Sequence, residues 1–156
     1  MLKYSPTSPS YDEIHNACIS IASDIKKHYS GVETIIGITR GGLIPATIIS
    51  HLLDKPLFPL SYSSKAGKGD NKNHDNEIPL FTNVGSKVLI VDDICDSGRT
   101  LNEVQYQLNK QNIETVTAVL YYKDHPNQVI VPDMYWRMVT ENDGWIVFPF
   151  ERPEVI

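Results

Sequence analysis

Val88-Leu89-Ile90-Val91-Asp92-Asp93-Ile94-Cys95-Asp96-Ser97-Gly98-Arg99-Thr100-Leu101 is the stretch that decides the fold. Its opening residues, with Lys87 just ahead of them, read as a strand over Lys87 to Asp92 that is continuous in apolar side chains, as central parallel strands are. Two adjacent acids stand at its carboxyl end, and Asp-Ser-Gly-x-Thr then opens a helix over 98–111. The backbone N–H groups from Asp96 to Thr100, two hydroxyls and a helix N-terminus make a cradle for phosphate, with Gly98 allowing close approach. The Asp92/Asp93 pair cannot bind phosphate directly and suits sugar hydroxyls or a divalent cation. Each half alone is common in α/β proteins. Joined, they fit a phosphorylated sugar.

Working outward, Ser10 and Glu13 form a capping box, and Ile14, Ala17, Cys18, Ile21, Ala22, Ile25 and Tyr29 share one face of the helix that follows, up to a glycine stop at Gly31. Residues 34–38 read as a buried strand, Thr39-Arg40-Gly41-Gly42 as a tight turn and 43–53 as a helix that tolerates Pro45 in its first turn. Strands are expected at 56–62 and 114–122, with further candidates at 129–131 and 145–148. Residues 63–79 have almost nothing to bury, and a stretch of that length is usually functional or disordered. The order predicts one α/β domain over 1–156, with a mostly parallel central sheet flanked by helices. Ligands in such sheets bind at the carboxyl ends of the strands.

Composition narrows the function classes. The 156 residues carry 14 Lys+Arg against 19 Asp+Glu, a net charge of −5, which argues against a nucleic-acid or anionic-membrane partner. Two cysteines exclude a disulfide framework, and no apolar run approaches the length of a membrane helix. A reducing, cytoplasmic setting is the expectation.

The 88–101 stretch closely resembles the phosphoribosyl-pyrophosphate (PRPP) signature of the type I phosphoribosyltransferases: apolar strand, two acids, two variable residues, Asp/Thr, Ser/Thr, Gly, any residue, Thr. The resemblance implies that fold, with 63–79 as its flexible hood, and Mg²⁺ as cofactor. It assigns Asp92, Asp93, Asp96, Ser97, Gly98, Arg99 and Thr100 to the ribose and its phosphate. Thr39, Arg40 and Gly41 become the pyrophosphate loop, with a non-proline cis peptide expected at Thr39–Arg40. Asp96 resembles the carboxylate with which the 6-oxopurine enzymes accept the N7 proton, although it could equally be a helix N-cap. Lys123 would donate to O6, Trp145 would stack on the base, and Ile146 would offer backbone groups to its C2 side. The resemblance implies metal contact by Asp92 and Asp93, mainly through substrate or water, with Glu151 as a further candidate; Lys65 and Lys68 of the hood could reach pyrophosphate. It further implies PRPP and a 6-oxopurine (guanine, xanthine or hypoxanthine) as substrates, pyrophosphate and a nucleoside 5′-monophosphate as products, and a homo-oligomer, dimer or tetramer. Two alternatives stay open: a PRPP- or nucleotide-binding regulatory protein of the same fold, and a phosphatase or receiver-like domain using Asp92/Asp93.

Overall fold

The computed structural model describes residues 8–62 and 77–151. The expected hood, with Lys65 and Lys68, lies outside the described residues except for its last three positions. Helix α1 (Tyr11–His28) is followed by β1 (Thr34–Thr39), α2 (Leu43–Leu53), β2 (Leu57–Ser61), β3 (Lys87–Cys95), α3 (Arg99–Lys110), β4 (Glu114–Lys123) and β5 (Met134–Val139). The five strands form a parallel sheet in the order β2-β1-β3-β4-β5.

Each helix buries the stripe its sequence lays out. The α1 stripe of Ile14, Ala17, Cys18, Ile21, Ala22 and Ile25 is buried. Most of it joins Ala46 and Ile49 of α2 and the Ile35, Leu89 and Leu120 side of the sheet. Leu101, Val104 and Leu108 of α3 cover the opposite side, made by Ile36, Ile90 and Val119. Adjacent strand residues such as Leu89 and Ile90 therefore enter different cores, which is why the central strand has no polar face.

The capping box at the start of α1 forms: Glu13 N–H donates to Ser10 Oγ (3.1 Å) and Ser10 N–H to Glu13 Oε2 (2.8 Å). Ser10→Ala is expected to cost about 1 kcal/mol and to lower Tm by roughly 2–4 °C. A scanning-calorimetry endotherm unchanged by the substitution would contradict this.

Three expectations need correction near the carboxyl ends of the strands. Strand β3 runs on to Cys95, past both acids, because the long β4 keeps pairing with it from Asp92↔Val119 to Cys95↔Tyr122. Residues 129–131 are not a strand: they lie between Pro126 and Pro132, and Val129 N–H donates to Ser97 O (2.9 Å) across the loop that joins β3 to α3. Within 145–148 only an isolated bridge at Ile146 is present. The last strand is instead β5, anchored just ahead by Asp133, whose carboxylate accepts from the Thr117 N–H (2.8 Å) and hydroxyl (2.9 Å).

Candidate active site where β1 and β3 part

The strand order reverses between β1 and β3, the topological switch point at which open α/β sheets bind ligands. The β1–β3 ladder runs from Thr34↔Val88 to Gly37↔Val91. Beyond it the two strands diverge, β1 staying with β2 as far as Thr39↔Ser61 and β3 with β4. Both sequence-identified loops leave from this split.

The first loop fits against the second with no room for side chains. A Cβ on Gly41 would overlap the Asp93 carboxylate, and one on Gly42 would come within 2.6 Å of Val91 O and 2.8 Å of Asp92 Cα. The Thr39–Arg40 peptide is cis, at the bond the resemblance indicates. Gly42 N–H donates to Ile38 O (2.9 Å) and Leu43 N–H to Arg40 O (3.1 Å), which turns the chain directly into α2. Arg40 is exposed and has no ion-pair partner among the described residues.

The second loop puts its two acids in different surroundings from Asp96. Asp93 is buried and Asp92 half-buried. Each carboxylate accepts a backbone N–H, Asp92 Oδ1 from Asp93 (2.9 Å) and Asp93 Oδ1 from Ile94 (2.8 Å). Burial nevertheless raises both carboxyls above the usual range, Asp92 most, where the Asp93 charge adds to the effect. Asp96, by contrast, is exposed. Gly98 follows with φ +80°, and a Cβ there would strike Ile130, so the packing of 129–131 holds the loop closed from behind. Helix α3 begins at Arg99, whose N–H donates to Ser97 Oγ (3.4 Å), so its N-terminus opens directly from the loop. Cys95 sits beneath the loop with its thiol pushed up to about 12 by burial, so it offers no nucleophile.

On the β4 side, Lys123 ends its strand with Nζ 3.8 Å from Asp96 Oδ1. Asp96, Lys123, Trp145, Ile146 and Glu151 line one pocket together with Ile94, Val139 and Phe148. The two aromatics divide the work. Phe148 is buried against Tyr121 and Phe150, whereas Trp145 is 68% exposed with its indole free to meet a ligand. Glu151 Oε2 accepts the Phe148 N–H (3.3 Å), so it braces the pocket floor. It does not join Asp92 and Asp93: among the described residues no three His, Cys, Asp or Glu side chains gather as metal ligands.

One residue here escaped the sequence reading. His125 places Nε2 3.1 Å from Asp96 Oδ1. Its only sequence signal is a position two residues beyond Lys123.

Known proteins resemble this chain along most of its length. The phosphoribosyl transferase domain profile matches residues 10–154. The xanthine-guanine phosphoribosyltransferase of Desulfotalea psychrophila is 31% identical over 152 residues, covering 96% of this chain and 89% of that protein. Xanthine phosphoribosyltransferase 1 of Saccharomyces cerevisiae is 28% identical, covering 94% and 90%. The crystal structure of a purine phosphoribosyltransferase from Pyrococcus horikoshii superposes with a TM-score of 0.78 at 31% identity, over 98% of this chain and 99% of that one. With its profile matched over nearly the whole chain, its parallel sheet and two loops meeting at the switch point, the chain belongs to the phosphoribosyltransferase family of enzymes and has the type I fold.

Proposed function

We propose that the protein transfers the phosphoribosyl group of PRPP to N9 of a 6-oxopurine, releasing pyrophosphate and forming the nucleoside 5′-monophosphate. The observation that carries the base assignment is the meeting of Asp96, Lys123 and the free face of Trp145 in one pocket beside the phosphate loop. A carboxylate next to an ammonium suits a ring that presents an N7–H donor and an O6 acceptor, and an exposed indole suits a flat heterocycle. Xanthine and guanine are the first candidates, since relatives bear those names. The same relatives leave the regulatory alternative without support.

In the reaction the C1–O bond of PRPP breaks and C1–N9 forms. The electron pair leaves with pyrophosphate, and the N7 proton passes to Asp96. Arg40 and the amides around Gly41 receive the charge that grows on the leaving group. The amides from Asp96 to Thr100 and the Ser97 and Thr100 hydroxyls hold the 5′-phosphate, and Asp92 and Asp93 hold the ribose hydroxyls. The donor set fits Mg²⁺ of the kind that keeps substrate oxygens and waters among its ligands: two adjacent carboxylates, both raised above the usual range by burial, with no third protein ligand beside them among the described residues. Held by Asp92 and Asp93 through substrate or water, the ion would supply positive charge that favours both carboxylates and the departing pyrophosphate.

No helix among the described residues is long and apolar enough to cross a membrane. Both cysteines are free and buried, in keeping with a cytoplasmic enzyme. A dimer or tetramer is carried over from the family and is read by light scattering. The substrate test is competition among guanine, xanthine, hypoxanthine and adenine at fixed PRPP and Mg²⁺. We expect adenine to be the poorest, because its 6-amino group meets the Lys123 ammonium donor to donor. Adenine turnover equal to the best 6-oxopurine would overturn the pocket assignment.

A further inference from the structure

Asp96 is the most exposed of the three acids at the site, with 57% of its side chain open to solvent. An acid in that setting samples several rotamers, and a proton acceptor must hold one. Lys123 does not supply the restraint, since 3.8 Å is beyond hydrogen-bond range. His125 does. Its side chain is only 10% exposed and is gripped from its far side, where Asn127 N–H donates to Nδ1 (3.2 Å). A nitrogen that accepts a hydrogen bond carries no proton, so the neutral ring's hydrogen resides on Nε2, pointing at Asp96 Oδ1 3.1 Å away. Both Asp96 contacts meet Oδ1, which leaves Oδ2 as the oxygen with room for a purine N–H.

We propose that His125 is a positioning residue for purine transfer: its Nε2–H fixes the Asp96 carboxylate so that Oδ2 meets N7. This rests on the assignment of Asp96 as the N7 proton acceptor. The histidine keeps its own proton throughout; the N7 proton moves to Oδ2 as the N9–C1 bond forms. The tether is built from outside the phosphate cradle, because His125 belongs to the segment after β4, so its loss acts on the base end of the site and spares PRPP.

Steady-state kinetics of His125→Ala, His125→Gln, Asp96→Asn and the Asp96→Asn/His125→Ala double variant test it. His125→Ala is expected to lower kcat about 10- to 100-fold, the scale of a misplaced catalytic group, with the KM for PRPP changed by less than about threefold. His125→Gln retains an N–H donor at a similar reach and is expected to recover most of kcat. In the Asp96→Asn background His125→Ala should have no further effect, since the group it positions is gone. An equal loss in both backgrounds, a rise in PRPP KM in place of the kcat loss, or an unchanged kcat in His125→Ala would each overturn the proposal. Asp96→Asn with undiminished turnover would instead overturn the acceptor assignment, and this proposal with it. A damaged Asp96→Asn beside an intact His125→Ala overturns the His125 role alone.

Discussion

Asp96→Asn is expected to lower kcat for the 6-oxopurine by about 10²–10³-fold, within the range that a positioned proton acceptor contributes, while PRPP binding stays within a few-fold of wild type. An amide of the same shape keeps the loop geometry and can still meet His125 and Lys123, but it has no useful basicity. It also removes a negative charge beside the anomeric carbon, where positive charge develops as the C1–O bond lengthens. PRPP affinity is spared because the cradle is made of backbone amides and hydroxyls to which the Asp96 side chain contributes nothing. Single-turnover rates and PRPP titration calorimetry, read together, check the prediction. Weakened PRPP binding with an unchanged chemical step would place Asp96 in the cradle and remove it from the base site.

The second large effect separates stability from activity. Asp92→Asn and Asp93→Asn, singly or together, are expected to cost turnover about 10²–10³-fold, in line with the loss of charged groups that orient the reacting centre. Without ligands they should stabilise the fold by roughly 0.5–2 kcal/mol at pH 8, the usual gain when a strained active-site group is relieved. Both carboxyls are raised in the folded state by burial. Between the unfolded value, near 4, and the raised folded value, the folded protein binds more protons than the unfolded chain. Unfolding free energy therefore falls as pH rises through that window, and below pH ~4 the two forms converge. Thermal melts at pH 4.5, 6 and 8 should show a variant advantage that grows with pH. Added PRPP and Mg²⁺ should reverse the order by raising only the wild type. A wild type that is the more stable form at pH 8 without ligands would show that the carboxylates are not penalised.

Legibility in the sequence followed the range of the contacts. The 88–101 stretch could be read because its devices are contiguous: strand, acids, glycine and helix start are covalent neighbours. The α1 stripe and its capping box were legible for the same reason. Strand β5 was not, since it buries Met134 and Val139 while Tyr135 and Met138 face solvent, giving neither alternation nor an apolar run. Residues 129–131 look like a strand to any propensity scale, yet Ile130 packs against Gly98 while Val129 and Val131 are exposed. Trp145 and Phe148 read alike as aromatics near the end of the chain, and only tertiary packing makes one an open face and the other core. His125 could not be found at all, because its partner Asp96 is 29 residues away and nothing local marks the pair.

The fit of Gly41 against Asp93 has a consequence for how such a protein can change. The 39–42 loop and the loop after β3 share a surface with no spare volume, so neither can be diversified without rebuilding the other. Lys123 at the end of β4 and the segments beyond it that carry His125 and Trp145 sit toward the margin of the sheet, away from the Gly41–Asp93 contact. Divergence toward new acceptor bases is channelled there. A mutant library over 123–151 should yield altered base preference in folded proteins, while one over 39–42 or 92–98 should return mostly inactive chains.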